Sequence, residues 1–566
     1  MADHSTGIQS DAYVADHGQA LNHRTVGKER KPSLTGKRSH ENGEVEAADD
    51  LLEAMGYKSE LVRNRSTLQA AFMSFVLASI PYGLSTTLYY PVVDSGPVGI
   101  IWGWLAVSLI ILCVAASLGE ITSVYPTAGG VYYQTWMLSA PSYRKIVSWI
   151  CGWAFVVGNI TITLAVNFAT ALFLTACINV FEASPAVGDE PAVGIFAGEP
   201  YQIYLIFFGI TLLCNVVCTV GNKWLPFLDT FAIFWTFAGV ICIIVCVLVI
   251  AKEGRHNAKY VFTEFDPSNS GWTPGWSFMV GLLHAAYATS STGMIISMCE
   301  EVQKPATQVP KAMVGTVMLN TVAGLVFLIP LVFVLPDQAS LAALASGQPV
   351  PTIIKSAIGS SAGAIGLLFP LLVLGLFCGI GCTTAASRCT WAFARDGAIP
   401  GSQWWQTVNV KFDVPFNAMM LSMAVQLILG LIYFGSSAAF NAFSSVGVIC
   451  LTLSYGCPIA VSMLGGRKQV KGGSFHLGAL GTFCNVIALA WTLLAIPLFC
   501  MPTAIPVTPD LMNYASVVFF AFFVIATGWY FVWGKKNYQG PPMQEDEILQ
   551  IRRESIASHE LPVGKA

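Results

Sequence analysis

Charge is the scarcest property of this chain. Of its 566 residues only 11% are Asp, Glu, Lys or Arg, where a soluble domain carries about 25%. The charges are also segregated, with long uncharged runs between short charged loops. That deficit, with a mean hydropathy of +0.62, excludes an ordinary soluble fold and implies a polytopic membrane protein. A net charge of −3 gives no basis for a nucleic-acid partner. No hydrophobic core lies close to Met1, so no cleaved signal peptide is expected. No Gly-rich phosphate loop ending in Lys-Ser/Thr is present, which argues against a primary pump. No His/Asp/Glu cluster marks an apolar run, which argues against an integral-membrane enzyme. The 15 cysteines are dispersed. Pairs such as Cys214/Cys218 and Cys378/Cys382 share a helix face, but no His or acid accompanies them, so they read as packing residues. No metal, disulfide framework or cofactor is expected.

What the chain has instead is apolar length. A spanning helix needs roughly 20 apolar residues, and twelve such spans are expected: 67–91, 97–119, 146–178, 201–220, 226–250, 275–298, 312–335, 361–387, 416–434, 440–464, 478–501 and 511–533. Residues 1–62 read as a polar, disordered tail, within which 49–57 can form a short helix at the membrane surface. Residues 63–534 form the helical domain. Residues 535–566 form a charged second tail, in which 544–553 can be a short amphipathic helix. The Lys/Arg bias of the short loops places both termini on the cytoplasmic side. Arg63, Arg65, Arg144, Lys145, Lys223, Lys304, Lys311, Arg388 and Arg395 fall on that side, whereas the 179–200 loop holds four acids and no base.

Two spans are interrupted in their middle. Span 1 contains Ser79-Ile80-Pro81-Tyr82-Gly83-Leu84-Ser85-Thr86-Thr87, where Pro81 removes a helix donor and Gly83 adds backbone freedom. Span 6 stalls in Thr289-Ser290-Ser291-Thr292-Gly293, resumes through Met294–Ile296, and leaves the apolar environment at Glu300-Glu301. Such breaks leave backbone groups that lipid cannot satisfy, so they belong around a cavity. The breaks lie five spans apart, and five is odd, so two five-span units would lie in opposite orientations. That is the inverted-repeat pattern of a secondary transporter, with spans 11 and 12 appended.

Three loop stretches carry a resemblance. The first is Gly119-Glu120-Ile121-Thr122-Ser123-Val124-Tyr125-Pro126-Thr127-Ala128-Gly129-Gly130-Val131-Tyr132-Tyr133. The second is Glu300-Glu301-Val302-Gln303-Lys304-Pro305 with Gln308-Val309-Pro310-Lys311-Ala312. The third is Ser387-Arg388-Cys389-Thr390-Trp391-Ala392-Phe393-Ala394-Arg395-Asp396-Gly397-Ala398-Ile399-Pro400. They resemble the corresponding segments of amino acid/polyamine/organocation permeases, and the third resembles the fungal amino-acid/choline branch, which includes GABA and choline permeases. The resemblance implies an all-α, twelve-helix, five-plus-five inverted-repeat fold, with solute held between broken spans 1 and 6. In bland terms, Gly129-Gly130 allows a tight loop and Pro310 starts a helix. Glu120, Glu300 and Glu301 are expected to pair with Arg388 or Arg395 as gate-forming or structural residues.

The physics of the breaks stands apart from the resemblance. N–H groups at a half-helix start carry about +0.5 charge and bind carboxylate, and freed carbonyls accept from an ammonium. Tyr82, Gly83, Leu84, Ser85 and Thr86 are expected to form one half of the cradle; Thr289, Ser290, Ser291 and Gly293 form the other. Tyr287 can close the pocket or stack on a cation. His284, the one His within a span, is three residues away on nearly the same helix face, where it can bind solute, relay a proton or simply be hydrogen-bonded. Thr383 and Thr384 of span 8 are candidates for an ion site. No acid or base is read in the middle of a span, which favours a zwitterionic amino acid or GABA-like amine over choline. It also leaves no obvious carboxylate for a coupling proton; the coupling ion, proton or Na+, stays open. The expected function is a permease for a small nitrogenous solute within membrane lipid. The alternatives are a choline, polyamine or secondary-metabolite transporter and a non-transporting nutrient sensor, with plasma membrane preferred over an organelle.

Overall fold

The computed structural model describes residues 37–63, 65–184, 193–196, 198–251, 255–344, 346–435, 439–508 and 512–542. Residues 1–43 and 44–566 are two compact units. Of the first only 37–43 are described, all of them helical; the second holds everything that follows.

Twelve helices in the described residues have the length and apolarity to cross a membrane: Leu68–Thr87, Gly96–Val124, Arg144–Ile178, Pro200–Val220, Asn222–Ile250, Pro274–Glu301, Pro305–Phe333, Ser361–Arg395, Phe416–Phe434, Asn441–Leu464, Ala479–Leu498 and Ala515–Asn537. They are numbered spans 1 to 12 below. They coincide with the expected twelve, several running further into the loops at their ends. Spans 3 and 8, five apart, are both 35 residues long and pack against each other, as corresponding members of an inverted repeat. The fold is the all-α five-plus-five inverted repeat with spans 11 and 12 appended. The one sheet element among the described residues is the short hairpin Glu182–Ser184 with Val193–Gly194.

Burial sorts the spans into layers. Of the apolar window of span 6, 94% is buried inside the protein, against 17% for span 12. Spans 1, 3, 6 and 10 form the centre, and spans 4, 5, 9, 11 and 12 turn residues such as Leu205, Phe234, Phe520 and Ile525 outward. Span 6 is therefore apolar for the interior rather than for lipid, which is why Ser and Thr can populate it.

Both breaks differ in detail from expectation. Span 1 starts at a capping box in which Ser66 and Gln69 bond each other's backbone N–H. It breaks at Ser79, which is left-handed at φ 41°, not at Pro81. Pro81 instead occupies the first turn of the second half-helix, Ile80–Thr87, where its missing N–H removes no bond. Span 6 does not unwind at 289–293. Its α-helical half ends at Thr289 and the chain tightens into a 3-10 helix, Ser290–Glu301; runs beyond three or four residues are uncommon in this geometry. Nor do Glu300 and Glu301 leave the interior, for both are buried.

The tails differ as well. Residues 37–54, read as tail, form the helix Lys37–Ala54, which includes the first part of the expected 49–57 segment. Leu52, Met55 and Tyr57 are buried. At the other end Tyr538 is buried, its ring edge-on to Trp149 and its hydroxyl 3.1 Å from that of Ser148. The expected helix at 544–553 lies outside the described residues.

Candidate functional site

Spans 1 and 6 meet at their breaks. A Cβ placed on Gly83 would sit 3.4 Å from Cβ of Ala288, an ordinary contact, so the two helices lie side by side here with room for a methyl group and little more. Beside this contact lies a hollow of about 10 Å³, lined among others by Tyr82, Gly83, Ile162, Val166, Tyr287, Ser290, Ser291 and Cys378. That is room for about one water molecule at most. Anything larger can occupy it only if the surrounding helices part.

Five of the expected cradle residues, Tyr82, Gly83, Tyr287, Ser290 and Ser291, line this hollow together. Thr289 and Ser290 line a second one of similar size with Thr452, Tyr455 and Trp491. Leu84, Ser85, Thr86, His284 and Gly293 are buried or enclosed nearby but do not line the first hollow. Gly293 packs on Tyr455, whose hydroxyl donates to the Ser290 carbonyl at 2.9 Å. Sequence reasoning missed Tyr455, Ile162, Val166 and Cys378. Nothing in a single sequence ties spans 3, 8 and 10 to the breaks before the fold is known.

The expected free groups are largely engaged. The N–H groups of Tyr82 and Gly83 both donate to the Ser79 carbonyl at 3.0 Å. Ser85 donates to Pro81, Thr86 to Gly83, Thr289 to Ala285 and Ser290 to Tyr287, each bond turning back on its own helix. Tyr82 anchors span 1 to span 3 through the Val166 carbonyl at 2.9 Å and the Thr170 hydroxyl at 2.6 Å. Among the described residues no hydrogen-bond partner reaches the Tyr287 hydroxyl, the Ser291 hydroxyl or either ring nitrogen of His284. At the candidate ion site Thr384 bonds the Ile380 carbonyl and lies 3.3 Å from the Cys218 sulfur, whereas the buried Thr383 hydroxyl has no partner among the described residues.

The face that carries Arg63, Arg65, Arg395 and Arg467, called the basic face here, is closed by buried ion pairs. Glu301 lies 2.7 Å from Arg388 and 3.3 Å from Arg65, which reaches Asp229 at 2.5 Å. Glu300 takes a bidentate contact from Arg395 at 2.9 and 3.1 Å and accepts the Ala128 N–H. The expected pairing of Glu120 with Arg388 or Arg395 is not what forms. Glu120 binds Arg467 at 2.6 Å, with His476 at 3.1 Å and the Leu477 N–H at 2.7 Å, tying the end of span 2 to the loop before span 11.

The segment before span 1 completes this closure, and the sequence did not signal it. Arg63 donates to the carbonyls of Cys299 and Val302. Arg65 and Val302 pair as a short parallel bridge. Arg395 lies over the Tyr57 ring at 4.0 Å, and the hydroxyls of Tyr57 and Tyr132 both donate to Asp396. Burial raises the Asp396 carboxyl to about 6, against the pull of Arg395 and the two hydroxyls. A hollow of about 130 Å³ bordered by Leu61, Asn222, Lys223, Glu301 and Asp413 adjoins these ion pairs.

At the opposite end of span 1 stands an acid that the expected boundary at residue 91 excluded. Asp94 has no exposed surface, and no described residue hydrogen-bonds either of its carboxylate oxygens. Its signal was in the sequence: from Ser66 to Tyr143 there are two acids, Asp94 and Glu120, and no Lys or Arg.

Comparison with known proteins assigns the architecture. The family model "Amino acid permease" matches residues 54–523. The choline transporter of Saccharomyces cerevisiae is 30% identical over 480 residues, 84% of this chain and 82% of that protein. The polyamine transporter TPO5 of the same yeast is 30% identical, covering 86% of this chain and 79% of its own. Amino-acid permease BAT1 of Arabidopsis thaliana is 29% identical, covering 87% and 95%. With two broken spans meeting at the centre of an inverted repeat and a family match that runs from before span 1 into span 12, the chain belongs to the amino acid permease family.

Proposed function

We propose that the chain is a secondary active permease that moves a zwitterionic amino acid or a closely related amine, GABA-like in size, by alternating access. Family membership makes it a transporter rather than an enzyme. The observation that carries the solute preference is the lining of the hollow between the breaks. It contains hydroxyls, an aromatic pair, aliphatic side chains and a thiol, and no charged side chain. A net-neutral solute needs no counter-ion there. Its carboxylate and ammonium can meet the backbone dipoles at the half-helix ends by Ser79 and Ser290 once the spans part.

The basic face supports a topology with both termini in the cytoplasm, following the Lys/Arg rule, and the outward-turned apolar residues of spans 4, 5, 9, 11 and 12 suit membrane lipid. The plasma membrane is the location proposed. The second reading, a cationic amine, draws on the yeast relatives named as choline and polyamine transporters.

The test is uptake of labelled GABA, proline, lysine, choline and polyamines by transport-deficient cells expressing the chain. Saturable uptake of a zwitterion is expected. Saturable uptake of choline with no amino acid would overturn the solute preference. Specific binding in vesicles without accumulation would replace the permease by a sensor.

A further inference from the structure

Among the described residues Asp94 is the one wholly buried carboxylate at the end of spans 1 and 6 that lies away from the basic face, and its surroundings define what it can hold. It ends the helix Tyr89–Asp94 and faces the start of span 6. A Cβ on Gly281 would lie 3.2 Å from Cβ of Asp94, and the Ser277 hydroxyl donates to the Asp94 carbonyl. Gln338 covers the other side, donating to the carbonyls of Val92 at 2.7 Å and Asp266 at 3.2 Å.

Among the described residues no cation balances it. The helices packed against Tyr89–Asp94 are Pro274–Gly281, Leu283–Thr289, Gln338–Ala342 and the segment from Gly96 to Gly103. None carries a Lys or Arg. Their titratable groups are His284 and Tyr287; Tyr89 and Tyr90 lie on its own helix, and Asp266 and Asp337 border the Gln338 cover. An ionised carboxylate held without a partner costs several kcal/mol even after relaxation, so in this closed arrangement Asp94 is a neutral acid.

A second observation links it to the solute site. Gly281, His284, Tyr287 and Ser291 recur at three- and four-residue spacing, so they follow one face of span 6. The last three are buried side chains with polar atoms lacking any described partner, and Tyr287 and Ser291 line the central hollow. They form a polar stripe from Asp94 to that hollow.

Resting on the permease reading above, we propose that Asp94 is the outer proton-binding residue of the transport cycle. The outer mouth closes only around a protonated Asp94, and the stripe through His284, Tyr287 and Ser291 passes that proton on to the solute site. The proton comes from the outer solution when the mouth is open. It binds one carboxylate oxygen and leaves through hydroxyl and imidazole groups once the basic face opens; the ionised Asp94 left behind is one the closed mouth cannot hold, so its deprotonation reopens the outer mouth and resets the cycle.

The experiment uses the purified full chain in proteoliposomes, with the membrane potential clamped and an inward proton gradient of one pH unit. The probe is the zwitterion the wild type takes up. One proton per solute gives about tenfold accumulation. Asp94→Asn, a fixed mimic of the neutral acid, is expected to lose accumulation while still exchanging labelled for unlabelled solute. Asp94→Glu is expected to accumulate, with its pH midpoint displaced. Wild-type uptake indifferent to the gradient, accumulation retained by Asp94→Asn, or Asp94→Asn inserted but unable to exchange would each overturn the proposal. Should Asp94→Asn fail to insert, an unchanged midpoint in Asp94→Glu overturns it. Absence of both uptake and exchange in the wild type would instead remove the permease reading.

Discussion

Replacing Glu301 by Gln perturbs the basic face at its most connected point. Glu301 bridges Arg388 at 2.7 Å and Arg65 at 3.3 Å, with Asp229 as second partner of Arg65 at 2.5 Å. The four charges sum to zero. Gln keeps the shape and leaves an uncompensated positive charge among buried groups. Removing one member of a buried pair costs about 3–5 kcal/mol. The penalty falls on the closed arrangement, because opening admits water to both guanidinium groups. At about 1.4 kcal/mol per decade, the closed-to-open ratio drops by about 100- to 3,000-fold. The bonds that Arg388 keeps to Asn222 at 3.1 Å and Ser387 at 3.0 Å favour the lower end. Cys299 reports the outcome. It is buried next to Glu300, and its carbonyl accepts from Arg63. Maleimide labelling from the basic side, counted as the signal lost in Cys299→Ser, should rise at least about tenfold in Glu301→Gln. A rate within about twofold of the parent, in protein that inserts and melts as the parent does, would show that this pair does not hold the face closed.

Other perturbations have defined outcomes. Gly83→Leu and Ser290→Leu fill the contact between the breaks and should abolish uptake without loss of insertion; unchanged uptake in both would move the site elsewhere. Gly293→Ala places a Cβ 2.5 Å from the Tyr455 ring, and such overpacking costs about 1–3 kcal/mol, readable as a lower melting temperature in detergent. The raised Asp396 carboxyl, at about 6, makes the folded protein the better proton acceptor. Its contribution is therefore most favourable below about pH 4 and declines as pH rises to about 6, by up to roughly 3 kcal/mol. Asp396→Asn should flatten that part of the stability–pH curve, and a curve identical to the parent's would refute it.

The parts of this molecule that read directly from sequence are those governed by local physics. Each span announces itself because about 20 apolar residues in a row have no other stable use. The two breaks were visible as small and polar residues in apolar runs, yet their form was not. At Ser79 the left-handed residue is a serine where a glycine would have signalled it, and Pro81, which reads as a breaker, starts a helix. At Ser290 the polar run tightens the helix because its hydroxyls bond carbonyls three or four residues back. Pairings distant in sequence were legible only as a choice among acids and bases. Glu300 and Glu301 found Arg395 and Arg388, whereas Glu120 found Arg467, a base in a loop that carries none of the three stretches. The helix Lys37–Ala54 was hidden by its charge and by its lack of apolar periodicity. Its buried Leu52, with Met55 and Tyr57 just beyond its end, acquires meaning only against the face it covers.

The two ends of the solute path close by different physics, and the difference yields a test of alternation itself. The basic end closes when opposite charges meet, the other when Asp94 is neutral. An exposed Asp titrates near 3.9, so at pH 7 neutralising it before closure costs about 4 kcal/mol, which Asp94→Asn removes. That substitution lies at the far end of span 1 from Cys299 and touches none of the basic-face pairs. If the ends were independent, Cys299 labelling would not respond to it. If closing one end opens the other, Asp94→Asn should raise Cys299 labelling at pH 7 and lose its effect as the medium is acidified towards about pH 4, where the wild-type acid is neutral as well. Combined with Glu301→Gln, the two effects should multiply, since distant sites without shared partners add in free energy. Labelling unmoved by Asp94→Asn at pH 7 would mean that the outer mouth and the charge lattice do not work as one device.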